Sequence, residues 1–192
     1  MLGVMLDCSR NAVLKPETVK EFAQIIRKMG YDTIMLYTED TYEIESQPYF
    51  GHLRGRFSKE EIKDIDKYCA EIGIELIPCI QTLAHLNQMV KWAEEFWDII
   101  DWGDALLIGE EKTYDLIREM LKTVSECFSS RKVHLGMDEA ANAGDLKGKY
   151  VSKHGVTDKF EMLNGHLHQV CNIAKECGLE PMIWSDMFFR LA

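Results

Sequence analysis

The residues best able to do chemistry lie in HLGMDEA, His134 to Ala140, where an apolar run ends in two adjacent carboxylates, Asp138 and Glu139, ahead of a small-residue loop, AANAG. Consecutive side chains of an extended strand point to opposite sides, so both carboxylates reach one pocket only where the strand bends into its loop. Two negative charges so close raise one pKa, leaving a carboxylic acid that can donate a proton beside an ionised carboxylate. Those are the requirements of an acid catalyst. The same pair also suits a solvated loop or a helix N-terminal charge, and the pattern alone leaves both readings open.

Other polar residues gather at the ends of other apolar runs: Asp7 and Arg10, Glu39 and Asp40, Gln81 and His85, Trp184 and Asp186. The elements that must position them read as strands followed by helices. LGVML (Leu2 to Leu6) precedes a helix that Pro16 opens and Gly30 closes, with Val19, Phe22, Ala23 and Ile26 at helical spacing. DTIMLY (Asp32 to Tyr37) precedes a helix with Ser58 and Glu61 as a capping box. IELIPCI (Ile74 to Ile80) leads into mixed helix and loop from Asn87 to Ile100, then a long helix from Glu110 to Phe128. KVHLGM (Lys132 to Met137) precedes a helix from Asp158 to Cys177, and PMIWS (Pro181 to Ser185) is a fifth strand.

Strands and helices alternating without hairpin signals predict a parallel sheet with crossover helices. A doubly wound sheet would concentrate its site at one switch point, usually with a glycine-rich phosphate loop, and neither GxGxxG nor GxxxxGK[ST] occurs. Polar residues at every strand end favour a barrel instead. The predicted fold is an α/β, partial (β/α)8 TIM barrel of about five parallel strands, with residues 1–192 as a single incomplete domain, because a full barrel takes about 250 residues and eight strands.

The formal net charge of −10 predicts a surface that repels nucleic acid and anionic membranes. No apolar run approaches the ~20 residues of a membrane span. The N-terminus lacks a basic, cleavable leader, so the expected setting is cytoplasmic. The six cysteines form no CxxC and are expected to be reduced packing residues; the scattered histidines predict no metal site and no cofactor.

In two-carboxylate glycosidases the carboxyl groups stand roughly 5 to 9.5 Å apart across the scissile bond. Consecutive residues do not easily straddle a sugar. A mechanism in which the substrate supplies its own nucleophile needs one acid/base and one neighbour that steers the nucleophile, which Asp138 and Glu139 can provide. HLGMDEA resembles the His-x-Gly-Gly-Asp-Glu motif of family 20 glycoside hydrolases, the exo-acting β-N-acetylhexosaminidases, with Met137 at the second glycine. LDCSR, IMLYTED, QTLAH and MIWSDMFF are similar to the first, second, third and fifth strand ends of that family, in its hexosaminidase D-like branch.

The resemblance implies that Glu139 is the general acid/base and that Asp138 orients the 2-acetamido group and stabilises the oxazolinium ion. It implies that Arg10 holds sugar hydroxyls, for which a planar, always charged fork is suited, and that Trp184 packs on the sugar. It also implies that His85 is the third-strand histidine linked to the acid/base; Glu39 stands where the family has its Asp hydrogen-bond partner, and Asp40 is the alternative partner. His134 either lines the pocket or is a satisfied core residue. Tyr37, Tyr42, Tyr49 and Trp102 stay unassigned. The implied partner is an N-acetylhexosaminide glycan, and two uncovered sheet edges predict association between copies. A barrel lacking strands predicts little or no activity for the chain alone, and a non-catalytic, weakly sugar-binding half-barrel is the alternative.

Overall fold

In a computed structural model that describes residues 1–189, the chain runs through β1 (Gly3–Asp7), α1 (Pro16–Lys28), β2 (Thr33–Glu39), α2 (Lys59–Glu71) and β3 (Glu75–Ile80). Two short helices, α3 (Asn87–Val90) and α4 (Ala93–Phe96), and a 3-10 turn at Trp97–Ile99 lead to α5 (Glu111–Cys127). Then come β4 (Lys132–His134), α6 (Lys149–His154), α7 (Lys159–Glu176), β5 (Glu180–Met182) and α8 (Asp186–Phe189). The five strands are parallel in the order β1-β2-β3-β4-β5, the sequential arrangement of a barrel wall.

Local signals set the helix ends. Ser58 and Glu61 close a reciprocal capping box on α2, and Asp158 accepts from the Glu161 amide to cap α7. A cap is worth roughly 1 kcal/mol, whereas fully burying one Ile side chain contributes roughly 1.5–3 kcal/mol. Packing of Ile62 and Ile65 of α2 therefore outweighs its cap.

Strand alternation divides the sheet. Ile34, Leu36 and Leu76 face the helical layer and belong to the main core. The other face carries a row in register across all strands, Asp7, Tyr37, Cys79, His134 and Met182. This inner face is open: Met5 and Trp184 are each 39% exposed. The six cysteines are free, and among the described residues no helix is long and apolar enough to cross a membrane.

Two strands are shorter than their apolar runs predict. β4 ends at His134 rather than Met137, because Gly136 (φ 75°) and Met137 (φ 71°) leave the extended region and turn the chain. β5 ends at Met182 rather than Ser185, although the Trp184 amide still donates to the Gly136 carbonyl.

Fully buried His166 fastens α7 to the end of β3. Its Nε2 lies 3.0 Å from the Thr82 carbonyl, which can only accept, so Nε2 carries the proton and Nδ1 accepts from the Tyr114 hydroxyl at 3.3 Å. Burial lowers its pKa to about 4, and it stays neutral. Immediately before it, Gly165 sits inside α7 with nothing within 4 Å of where a Cβ would project. Ala exceeds Gly in helix propensity by roughly 0.8–1.0 kcal/mol, so Gly165→Ala is expected to raise the melting temperature by about 2–4 °C for a chain of this size. A lower melting temperature in calorimetry would show that the position needs glycine for a reason other than helix stability.

Candidate active site

The strand ends on one face of the sheet are bent out of regular geometry where the candidate residues sit. Glu39 (φ 42°), His85 (φ 59°), Met137 (φ 71°) and Glu139 (φ 48°) are all left-handed without being glycine. Such conformations cost of order 1–3 kcal/mol each and persist where the surroundings hold them. A bulge in β2 between Tyr37 and Glu39 re-aims the latter. At His85 the backbone amide donates to Asp104 Oδ2 (3.1 Å), and Asp104 Oδ1 accepts from Asn142 Nδ2 (2.9 Å), tying the β3 loop to the β4 loop. At Glu139 the amide donates to Asp186 Oδ2 (3.2 Å).

The bend after β4 brings the two carboxylates together. Asp138 Oδ2 and Glu139 Oε2 lie 3.2 and 3.7 Å from the same atom, His85 Nε2. The imidazole nitrogen is not aligned for a good hydrogen bond to either, and the contacts become ion pairs when the ring is protonated. Asp138 also accepts from Gln81 Nε2 at 2.7 Å. Burial by itself raises the Asp138 pKa, but His85 and Gln81 outweigh it and hold the carboxyl below its ordinary value. The Asp138 contact in turn raises the His85 pKa against the opposing effect of burial. Asp138 is therefore held ionised by partners that follow β3, Gln81 at the strand end and His85 in its loop. Glu139 is 76% exposed at its side chain and faces the open cavity.

The sign of the pH effect follows from these shifts. Asp138 contributes stability that is present above its ordinary pKa and lost as pH falls through its lowered folded pKa. His85 contributes stability that is present below its ordinary pKa and lost as pH rises through its raised folded pKa.

The cavity measures about 460 Å³ and is lined by Asp138, Glu139, Trp184, Ser185, Asp186 and Phe189, within the size range of small-molecule sites. His134 lies behind Trp184, ring centroids 4.6 Å apart. Its Nδ1 accepts from the Gly136 amide, and burial lowers its pKa to about 4, so a neutral imidazole braces the indole. Arg10 is half-exposed, paired with Asp7 at 2.8 Å and placed 5.0 Å over the Tyr37 ring.

Glu39 and Asp40, alternatives in the sequence, have different surroundings. Glu39 accepts from the Tyr37 hydroxyl at 3.0 Å, and burial raises its pKa. Asp40 pairs with Arg54 (3.2 Å), whose guanidinium also donates to the Ser9 carbonyl, so Asp40 anchors the β2–α2 loop. Three residues of the cluster have no role assigned from the sequence: Gln81, Tyr37 and Asp186. Gln81 and Asp186 stand at strand ends in the sequence, which is the available signal; the place of Tyr37 in the cluster follows only from the register that aligns it with Cys79 and His134.

The sequence profile "Glycosyl hydrolase family 20, catalytic domain" matches residues 2–191. A beta-hexosaminidase of Porphyromonas gingivalis is 24% identical over 96% of the chain and 28% of its own length. Hexosaminidase D of Bos taurus is 24% identical over 88% of the chain and 51% of its own length. Among solved structures, a GH20 exo beta-N-acetylglucosaminidase from Vibrio harveyi superposes with a TM-score of 0.83 at 20% identity, over 95% of this chain and 35% of that one. The chain thus spans about a quarter to a half of these curated relatives, and the structural likeness establishes the barrel fold. With the profile matched from Leu2 to Leu191, the chain belongs to glycosyl hydrolase family 20, as part of its catalytic domain.

Proposed function

We propose that this chain carries the acid/base end of a retaining exo-β-N-acetylhexosaminidase that removes terminal GlcNAc or GalNAc by substrate-assisted catalysis. One observation carries the reading: Asp138 and Glu139 converge on a single His85 nitrogen. Two carboxylates on the same side of a pocket do not flank a glycosidic bond as a nucleophile and an acid must. They do suit a substrate whose own acetamido oxygen attacks the anomeric carbon.

In that sequence of steps, Glu139 gives its proton to the departing glycosidic oxygen as the C1–O bond breaks and the acetamido carbonyl oxygen closes on C1. Ionised Asp138 accepts from the acetamido N–H and offsets the positive charge that grows on the oxazolinium ring. Glu139, now a carboxylate, takes a proton from the water that opens the ring, and two displacements at C1 leave its configuration retained. Trp184, braced by His134, offers an aromatic face to the apolar side of the sugar, and the charged, planar fork of Arg10 binds hydroxyls.

The test is hydrolysis of an aryl N-acetyl-β-glucosaminide beside the matching glucoside, with product anomers followed by proton NMR. Turnover of the first alone, releasing the β-anomer, is expected; equal turnover of both, or the α-anomer, contradicts the proposal. A second reading, a sugar-binding half-barrel without turnover, is favoured by the open inner face at Met5 and Trp184. Binding of GlcNAc with no hydrolysis would select it.

Association between copies belongs to the same proposal. β1 lies at one end of the sheet with Leu2 55% and Met5 39% exposed, an apolar edge that can pair with another chain. β5, at the other end, carries Glu180 and Pro181, residues that blunt an edge, so the contact runs chiefly through β1. Light scattering is expected to show dimers or larger species at micromolar concentration; a monodisperse monomer overturns this part.

A further inference from the structure

We infer that Gln81 is the positioning residue of the site, an amide on a neighbouring strand end that fixes both the orientation and the ionisation of Asp138. The inference rests on the reading of Asp138 as the carboxylate that steers the acetamido group. It adds the device that keeps that carboxylate charged and aimed.

Every polar valence that Gln81 offers to the site is committed. Its Nε2 donates to Asp138 Oδ1 at 2.7 Å and to the Tyr37 hydroxyl at 3.0 Å, and its Oε1 accepts from the Met137 amide at 3.2 Å. The orientation of the amide is unambiguous, because a carboxylate only accepts and a backbone N–H only donates. Gln81 is fully buried, so none of these bonds exchanges freely with water. One side chain thus holds the carboxylate and also the backbone amide immediately before it, at a residue whose φ is 71°. The Tyr37 hydroxyl in turn donates to Glu39 Oε1 (3.0 Å), which gives the hydrogen bonds a direction: Gln81 to Tyr37 to Glu39.

The first glycine of the β4 motif is explained by the same contact. A Cβ at Gly136 would stand 2.1 Å from Gln81 Oε1 and 2.8 Å from the Ile80 carbonyl, so the amide occupies the space that a side chain would fill. Gly136 and Gln81 are interlocked, and neither serves the sheet core, which packs on the opposite face.

The groups that face Asp138 define what a titration must separate. His85 and Glu139 approach it from the loops, while Cys79 of β3 and His134 of β4 face it from the sheet. His85 supplies an attraction that stays in place when Gln81 changes. The Gln81 contribution is therefore measurable as a difference.

Two variants of the full chain test this, with the Asp138 carboxyl followed by carbon-13 NMR titration and assigned against Asp138→Asn. Gln81→Met keeps length and removes both donors, and the Asp138 pKa is expected to rise by about one to two pH units, the span of a charge-assisted hydrogen bond. Gln81→Glu keeps the shape and places a second carboxyl beside the first, so a larger rise is expected, shared between the two as a coupled pair. Near-UV circular dichroism identifies folded variants, and the isosteric Gln81→Glu covers the case in which Gln81→Met does not fold. An unmoved Asp138 pKa in either folded variant overturns the inference. Hydrolysis is read separately: a moved pKa in a chain that never hydrolyses leaves Gln81 a positioning residue and removes the proposed function, whereas hydrolysis with an unmoved pKa does the reverse.

Discussion

Glu139→Gln is expected to lower hydrolysis of N-acetylhexosaminides with basic leaving groups by about 10²- to 10⁴-fold, the usual contribution of a positioned general acid. The amide is nearly isosteric and keeps the backbone arrangement, in which the residue is left-handed (φ 48°) with its N–H on Asp186. What it loses is the proton for the departing oxygen. A nitrophenolate or similarly stable anion needs that proton little, so the loss on such substrates should be far smaller. Rates for a series of aryl glycosides of graded leaving-group acidity check this as a slope: the variant line must be steeper than that of the unaltered chain. Parallel lines would take Glu139 out of the acid role and leave it an exposed loop carboxylate.

Asp138→Asn is expected to have the second large effect, about 10²- to 10³-fold on turnover, comparable with removing one group aimed at developing charge. The substitution removes the anion that faces an oxazolinium, and it also disturbs its neighbours. Gln81 Nε2 would face a side chain that can present either oxygen or nitrogen, and His85 loses the contact that raises its pKa. The imidazole pKa should fall accordingly, which proton NMR of the His85 ring can follow. A thiazoline analogue of the cyclic intermediate should bind more weakly. Unchanged analogue affinity together with unchanged rate would make Asp138 a structural residue.

The parts of this account that the sequence displays are the periodic ones. Strand-helix alternation, the Ser58 and Glu61 cap, and the sequential parallel order all follow from local patterning, and Asp138 and Glu139 stand out as a charged pair at the end of an apolar run. Leu135, Met137 and Trp184 are apolar enough to continue β4 and β5 in the sequence, but both strands end earlier, β4 because the φ angles of Gly136 and Met137 turn the chain away. The pKa logic of the acidic pair was also incomplete. Mutual repulsion between neighbours suggested that one carboxyl rises, but Asp138 is lowered, because His85 and Gln81 arrive from residues more than fifty positions away in sequence. Contacts of that separation depend on strand register, which composition and local spacing do not encode. Glu39 and Asp40 were indistinguishable for the same reason: the β2 bulge and Arg54 decide which of them faces Tyr37.

The central claim is that the nucleophile belongs to the substrate, and it is tested most directly by weakening that nucleophile. In a series of aryl N-acetyl-β-glucosaminides whose acetyl methyl carries none, one, two or three fluorines, each fluorine withdraws electron density from the carbonyl oxygen and leaves the leaving group unchanged. The account predicts that kcat/KM falls steeply and monotonically along the series, and that Asp138→Asn, already impaired, still follows the trend. A rate insensitive to fluorination would mean that a group on the protein attacks the anomeric carbon, and would contradict the account.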